Sequence, residues 1–189
     1  MSSSRNLTIT LTPRGRVVCR ARIDVPASAS TAWGQLRDFR RFAAQDFFHA
    51  AVRVAPGGVR HGALLEIDHR FGPFAVTRVG RILQWQEGRG YSFSDLSRRH
   101  PFAGFPHVYR YRLLPAGPSR CVLEVTVAGR WTTPLLPRWA ARLWLTWVFT
   151  HIAASVGNTL LALLAAAAQR HPFDAAQTNS SPATGAAER

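Results

Sequence analysis

A chain of 189 residues, 47% apolar and 18% charged, has the length for one domain with a sizeable core and too much apolar character for a disordered protein. Its formal net charge of +14 raises nucleic acid or an acidic membrane as partners. All 24 basic residues are arginine, however, in runs no longer than two, so the clustered footprint of a nucleic-acid binder is missing and no specific nucleic acid is expected.

Residues 1–15 read as an N-terminal extension, with an alternating "LTITL" (7–11) as a short strand ended by Pro13 and Gly15. "RVVCRARIDV" (16–25) alternates well, with Val17, Cys19, Ala21, Ile23 and Val25 on one face and arginines opposite, as in a half-buried strand. From Pro26 the period changes. A Ser/Thr run supplies helix-start chemistry, and Trp33, Leu36, Phe39 and Phe42 recur at helical spacing, giving two short helices broken near Asp38. Strands are then expected at about 48–55, 62–71, 74–85, 90–97, 106–114 and 120–131, separated by turn signals rich in Gly and Pro. A long apolar helix follows to about Arg170, and 171–189 has the composition of a disordered tail.

Two cysteines are too few for a disulfide framework and sit in no metal-ligand spacing. The opening "MSSSRNLTIT" lacks the apolar region of a secretory signal, so a reduced, cytoplasmic protein is expected.

This order of elements resembles the START-like superfamily, also called SRPBCC or Bet v 1-like, which includes polyketide cyclases. The residues that carry the resemblance are "ARIDVPASASTAWGQLRDFRRF" and "GRILQWQEGRGYSFSD" followed by "PHVYRYRL", and it covers roughly 16–170. The resemblance implies an α+β helix-grip fold. In that fold a curved antiparallel sheet, here of about seven strands, wraps a long C-terminal helix, with two short helices after the strand at 16–25. It also implies a hydrophobic cavity between sheet and helix.

Alternation assigns the faces independently. Leu65, Ile67, His69 and Phe71 share one side of their strand; His107, Tyr109, Tyr111 and Leu113 share one side of theirs. A hairpin pairing Tyr91 with Tyr111 sets Phe93 opposite Tyr109 and Asp95 opposite His107. Candidate ligand-binding residues are therefore Ile67, His69, Phe71, Tyr91, Phe93, Asp95, His107, Tyr109 and Tyr111, joined by Phe149 and Ile152 from the long helix. Asp95 and His107 are candidate catalytic residues, as a carboxylate fixing an imidazole for proton transfer. The same pair also reads as a structural staple at the mouth of the 98–105 loop, or as the group that orients a ligand's head. His49, His61 and His69 are scattered along the chain, and no metal or other cofactor is expected.

The long helix carries one aliphatic stripe: Leu145, Val148, Phe149, Ile152, Val156, Leu160 and Leu163. Leu143, Trp147 and Leu161 fall outside it. From Leu143 to Ala168 there is no Asp, Glu or Arg, which also meets the length of a membrane span. Three functional readings follow: a binder of a small hydrophobic or amphipathic molecule, lipid-like or polyketide-like; a polyketide cyclase or dehydratase-like enzyme using the inward Asp, His and Tyr groups; and a module that contacts a membrane surface or a second copy of itself through the last helix.

Overall fold

The computed structural model describes residues 5–95, 106–131 and 137–177; the side chains of Arg5, Phe71 and 171–177 are not described. One unclosed antiparallel sheet of eight strands dominates, in the order β1-β2-β8-β7-β6-β5-β4-β3. The strands are β1 (Arg5–Leu11), β2 (Arg16–Val25), β3 (His49–Val54), β4 (Leu64–Phe71), β5 (Phe74–Gln86), β6 (Gly90–Asp95), β7 (His107–Gly117) and β8 (Arg120–Arg130). Helices α1 (Ala29–Leu36) and α2 (Phe39–Ala43) follow β2, and α3 (Arg138–Gln177) is the last element among the described residues. This is the helix-grip arrangement.

Local chemistry explains the breaks. Ser28 caps α1, its hydroxyl accepting from the Thr31 amide at 3.1 Å. Asp38 separates the two short helices and caps α2 by accepting from the Arg41 amide at 3.4 Å. The alternation in β2 holds throughout: Val17, Cys19, Ala21, Ile23 and Val25 are all buried. β1 pairs with β2 from Arg5 to Leu11, so the sheet's edge lies inside the stretch read as an extension. α3 continues past Arg170 to Gln177, into the stretch expected to be a tail.

The stripe on α3 faces inward, with Leu145, Phe149, Ile152, Val156 and Leu160 buried. Gly157 lets the helix approach β2, since a Cβ there would sit 3.2 Å from Ile23. Ser155 and Thr159 donate to Gln45 Oε1 at 2.6 and 2.9 Å and tie α3 to the turn after α2. The two cysteines are free: Cys19 faces Val127 and Cys121 faces Val25, well out of bridging register.

On the convex face the arginines dispersed in sequence gather in space. Arg22 and Arg112 flank Glu124, and Arg20 and Arg110 flank Thr126 in the next row. A shallow concavity of about 180 Å³ opens beside them, lined by Gln84, Gln86, Gly90, Arg110 and Arg112 along with parts of Tyr91 and Tyr111.

Candidate functional site

The β6–β7 hairpin has the expected register: Tyr91 opposes Tyr111, Phe93 opposes Tyr109 and Asp95 opposes His107. Its rings form a continuous aromatic wall on the concave face. Phe93 stacks on Tyr109 with centroids 4.8 Å apart, and Tyr91 lies 5.1 Å from Tyr111. Phe39 of α2 meets Tyr91 and Phe93 edge-on at 5.4 and 5.1 Å. Ile67, Phe149 and Ile152 are buried in the same core, whereas the side chain of Phe71 lies outside the described residues.

At the Asp95 end this wall turns polar. Asp95 is 0% exposed, and its Oδ2 lies 2.9 Å from His69 Nε2, 3.1 Å from Arg78 Nη1 and 3.6 Å from His107 Nε2. Asp95 and His107 are thus neighbours, as expected, but the carboxylate's shorter contacts go to His69 and Arg78. Burial works to raise the Asp95 pKa. The His69 hydrogen bond and the charges of His107, His69 and Arg78 outweigh it and hold the carboxyl well below the usual carboxylate range. The cross-strand row through the pair is closed by glycine on both sides, Gly80 against Asp95 and Gly129 against His107. A Cβ at Gly80 would meet the Ser94 carbonyl at 1.9 Å, and one at Gly129 would meet the Pro106 carbonyl at 2.4 Å. Backbones therefore approach here more closely than any side chain allows.

Sequence reasoning missed three members of the site. His49 pairs with His69 across β3 and β4, their rings edge-to-face at 4.7 Å, so two histidines scattered in sequence become neighbours. Their scatter in sequence gave no sign of this pairing. His49 Nδ1 donates to the Ala43 carbonyl at 2.6 Å, and burial lowers the His49 pKa against the opposing pull of Asp46. Asp46, buried in the turn before β3, accepts a short hydrogen bond from the Tyr109 hydroxyl. Burial, then the Asp46 charge, raises the Tyr109 pKa well above its ordinary value, keeping the phenol protonated. Arg78 is the third. Its signal was its parity with Gly80 and Ile82 on β5, two buried positions of the same face.

Chemically, the cluster offers a fixed carboxylate, a guanidinium, three imidazoles and a phenol at one end of an apolar wall. Such a set can orient a polar head or move protons.

A second feature lies on the surface. Trp139, Leu143 and Trp147 are 69%, 64% and 53% exposed on one side of α3. Phe47 packs edge-on to Trp147 at 5.4 Å and is itself half exposed. Helix 138–170 is long and apolar enough to cross a membrane by length and composition, although its inner side is the core stripe of the fold.

No family model matches the chain, and no curated protein matches it in sequence. Solved structures do match in three dimensions. The aromatase/cyclase Zhui from Streptomyces sp. R1128 is 15% identical, with 79% of this chain and 93% of that one covered and a TM-score of 0.61. A START superfamily protein from Mycobacterium smegmatis is 16% identical over 77% and 98%, with a TM-score of 0.58. Ara h 8.0201 is 11% identical over 78% and 99%, with a TM-score of 0.56. Identities this low speak to fold rather than activity. The chain has the START-like, Bet v 1-like (SRPBCC) fold.

Proposed function

We propose that the protein binds a small hydrophobic or amphipathic molecule, lipid-like or polyketide-like, against the aromatic wall of the concave face, with the molecule's polar head at Asp95, Arg78, His69 and His107. The observation that carries this reading is the juxtaposition itself. A buried, fully ionised carboxylate with cationic partners is costly to maintain in a core, and here it terminates a wall of Tyr91, Phe93, Tyr109 and Tyr111. The rings are already buried in the fold, so the apolar gain on binding comes from the ligand's own surface, at about 25 cal/mol per Å² removed from water, against ~1 kcal/mol net for a neutral hydrogen bond. Affinity therefore comes from the wall, and selectivity from the cluster. Fold relatives whose names speak of cyclases and START proteins support the choice of ligand class. Mass spectrometry of organic extracts from gently purified protein tests it: an apolar molecule present near one per chain supports the reading, and a clean extract at every purification stage counts against it.

A second reading, catalysis of the cyclase or dehydratase kind, is favoured by the two carboxylate-centred groups, Asp95 with His69 and His107, and Asp46 with Tyr109. They supply paired acids and bases within one wall. Losing a general acid or base costs ~10²–10⁴-fold in rate. An Asp95→Asn variant that still binds ligand but no longer forms product would establish the enzyme.

The exposed Trp139, Leu143 and Trp147, beside Arg138 and Arg142, support docking of a cytoplasmic protein on an anionic lipid surface, where indole rings sit at the headgroup level and arginines meet phosphate.

A further inference from the structure

Among the described residues, two buried polar atoms of the cluster have no hydrogen-bond partner: Asp95 Oδ1, and His49 Nε2, which lies 3.9 Å from Asp46 Oδ2. Leaving a buried acceptor unsatisfied is expensive, so the pair needs a reason. The hydrogen bonds on the far sides of the rings give one. His49 Nδ1 is committed to the Ala43 carbonyl at 2.6 Å, and His69 Nδ1 to the Ile67 carbonyl at 3.2 Å. A carbonyl only accepts, so in each ring Nδ1 carries the proton, and a neutral ring presents the Nε2 lone pair inward. His69 Nε2 already hydrogen-bonds Asp95 Oδ2 at 2.9 Å, so it reaches an ion only by giving up the proton of that bond. A proton joins those two atoms in the metal-free protein, and a cation can take its place.

We propose that His49, His69 and Asp95 form a binding site for one divalent first-row transition ion, with the two Nε2 atoms and a carboxylate oxygen as ligands. One ligand atom from each lies within 4.8 Å of the others. Ligands on one zinc-sized ion stand about 3–4 Å apart, given bond lengths near 2.0–2.2 Å, so closure asks for side-chain movements of about 1 Å. The Nδ1–carbonyl bonds are the outer contacts that orient metal-binding imidazoles. Arg78 and His107 both approach Oδ2, which leaves Oδ1 for the ion. Charge balances tolerably: Asp46 and Asp95 offset Arg78 with one negative charge to spare before the ion enters. Two imidazoles and one carboxylate suit zinc, iron(II) or cobalt(II) over magnesium or calcium, and three protein ligands leave positions open for an oxygen of the ligand's head. The site goes beyond the binding reading and does not depend on it, because its test uses the chain with no organic ligand present.

The experiment is chelator-stripped full-length protein, titrated with Zn²⁺ by calorimetry and with Co²⁺ by visible absorption. One ion per chain, with a dissociation constant below micromolar and visible Co²⁺ bands of a low-coordinate nitrogen–oxygen site, is the expected result. His49→Gln and Asp95→Asn should each weaken binding at least about 100-fold, while His61→Gln, at an exposed histidine, should not change it. Wild-type protein that takes up less than one ion per chain at micromolar free metal overturns the proposal, whatever the variants do. So does tight binding that survives His49→Gln or disappears with His61→Gln. Naphthalene-probe binding measured on the same stripped sample reports separately on the aromatic wall.

Discussion

Removing the charge of Asp95 should be among the most damaging isosteric changes in the protein. Asp95→Asn keeps the shape of a side chain that is 0% exposed, but takes the Asp95 charge away from the Arg78 guanidinium, 3.1 Å away and 7% exposed. Breaking a buried pair by neutralising one partner costs about 3–5 kcal/mol, because the surviving charge stays desolvated. Typical domains hold only about 5–15 kcal/mol in total, so the loss is a large fraction of the fold's stability. At about 2–4 °C per kcal/mol for a chain of this size, the melting midpoint should fall by roughly 6–20 °C. The partner variant Arg78→Met should cost a comparable amount, since it leaves Asp95 among the histidines. The double variant should cost markedly less than the sum, with a coupling of about 1–3 kcal/mol, because the two changes remove one shared ion pair. Urea denaturation of the four proteins at neutral pH measures all of this. Asp95→Asn within 0.5 kcal/mol of wild type, or strictly additive single changes, would refute the picture of a tied electrostatic unit and leave Asp95 an incidental buried acid.

Stability should also depend on pH through His49. Its folded pKa is lowered from 6.5 by burial, so its contribution is fully present above pH 6.5 and is lost as the pH falls and the unfolded state takes up the proton first. In metal-free protein the denaturation midpoint should therefore drop as the pH falls below about 6.5, and His49→Gln should flatten that slope; an unchanged slope would sink the assignment. Both thiols should be silent to a thiol reagent in the native protein and count as two after unfolding, because both are buried and burial pushes Cys19 up to about 12. Fast native labelling of Cys19 would contradict the inward face of β2. Leu143→Ser with Trp147→Ser should abolish sedimentation with phosphatidylglycerol vesicles and leave the fold intact; equal sedimentation by the variant would place lipid contact elsewhere.

The aromatic wall was legible because strand alternation and a hairpin register are local properties. Tyr91, Phe93 and Asp95 sit two apart, as do Tyr111, Tyr109 and His107, and one pairing aligns all three. The long helix was legible for the same reason, its stripe from Leu145 to Leu160 being buried throughout. The remainder of the cluster was hidden by long-range geometry. His49 meets His69 only through the β3–β4 register, which is interrupted by a bulge between His49 and Ala51. Asp46 belongs to a turn without periodicity, yet reaches Tyr109 on a distant strand. Arg78 breaks the pattern that would reveal it, as a charged residue on the buried face of β5. An arginine reads as an outward position unless its parity with Gly80 and Ile82 is weighed, and its carboxylate partner Asp95 stands opposite Gly80 rather than opposite it.

Where an apolar probe binds is the most direct test of the central claim. Uniformly labelled protein titrated with N-phenyl-1-naphthylamine should saturate at one probe per chain. The imidazole resonances of His69 and His107 and the ring resonances of Phe93 and Tyr109 should shift together along the same binding curve. Shifts confined to Trp139, Leu143 and Trp147, or to Gln84, Arg110 and Arg112 on the convex face, would contradict it and move the binding site to the outside of the molecule.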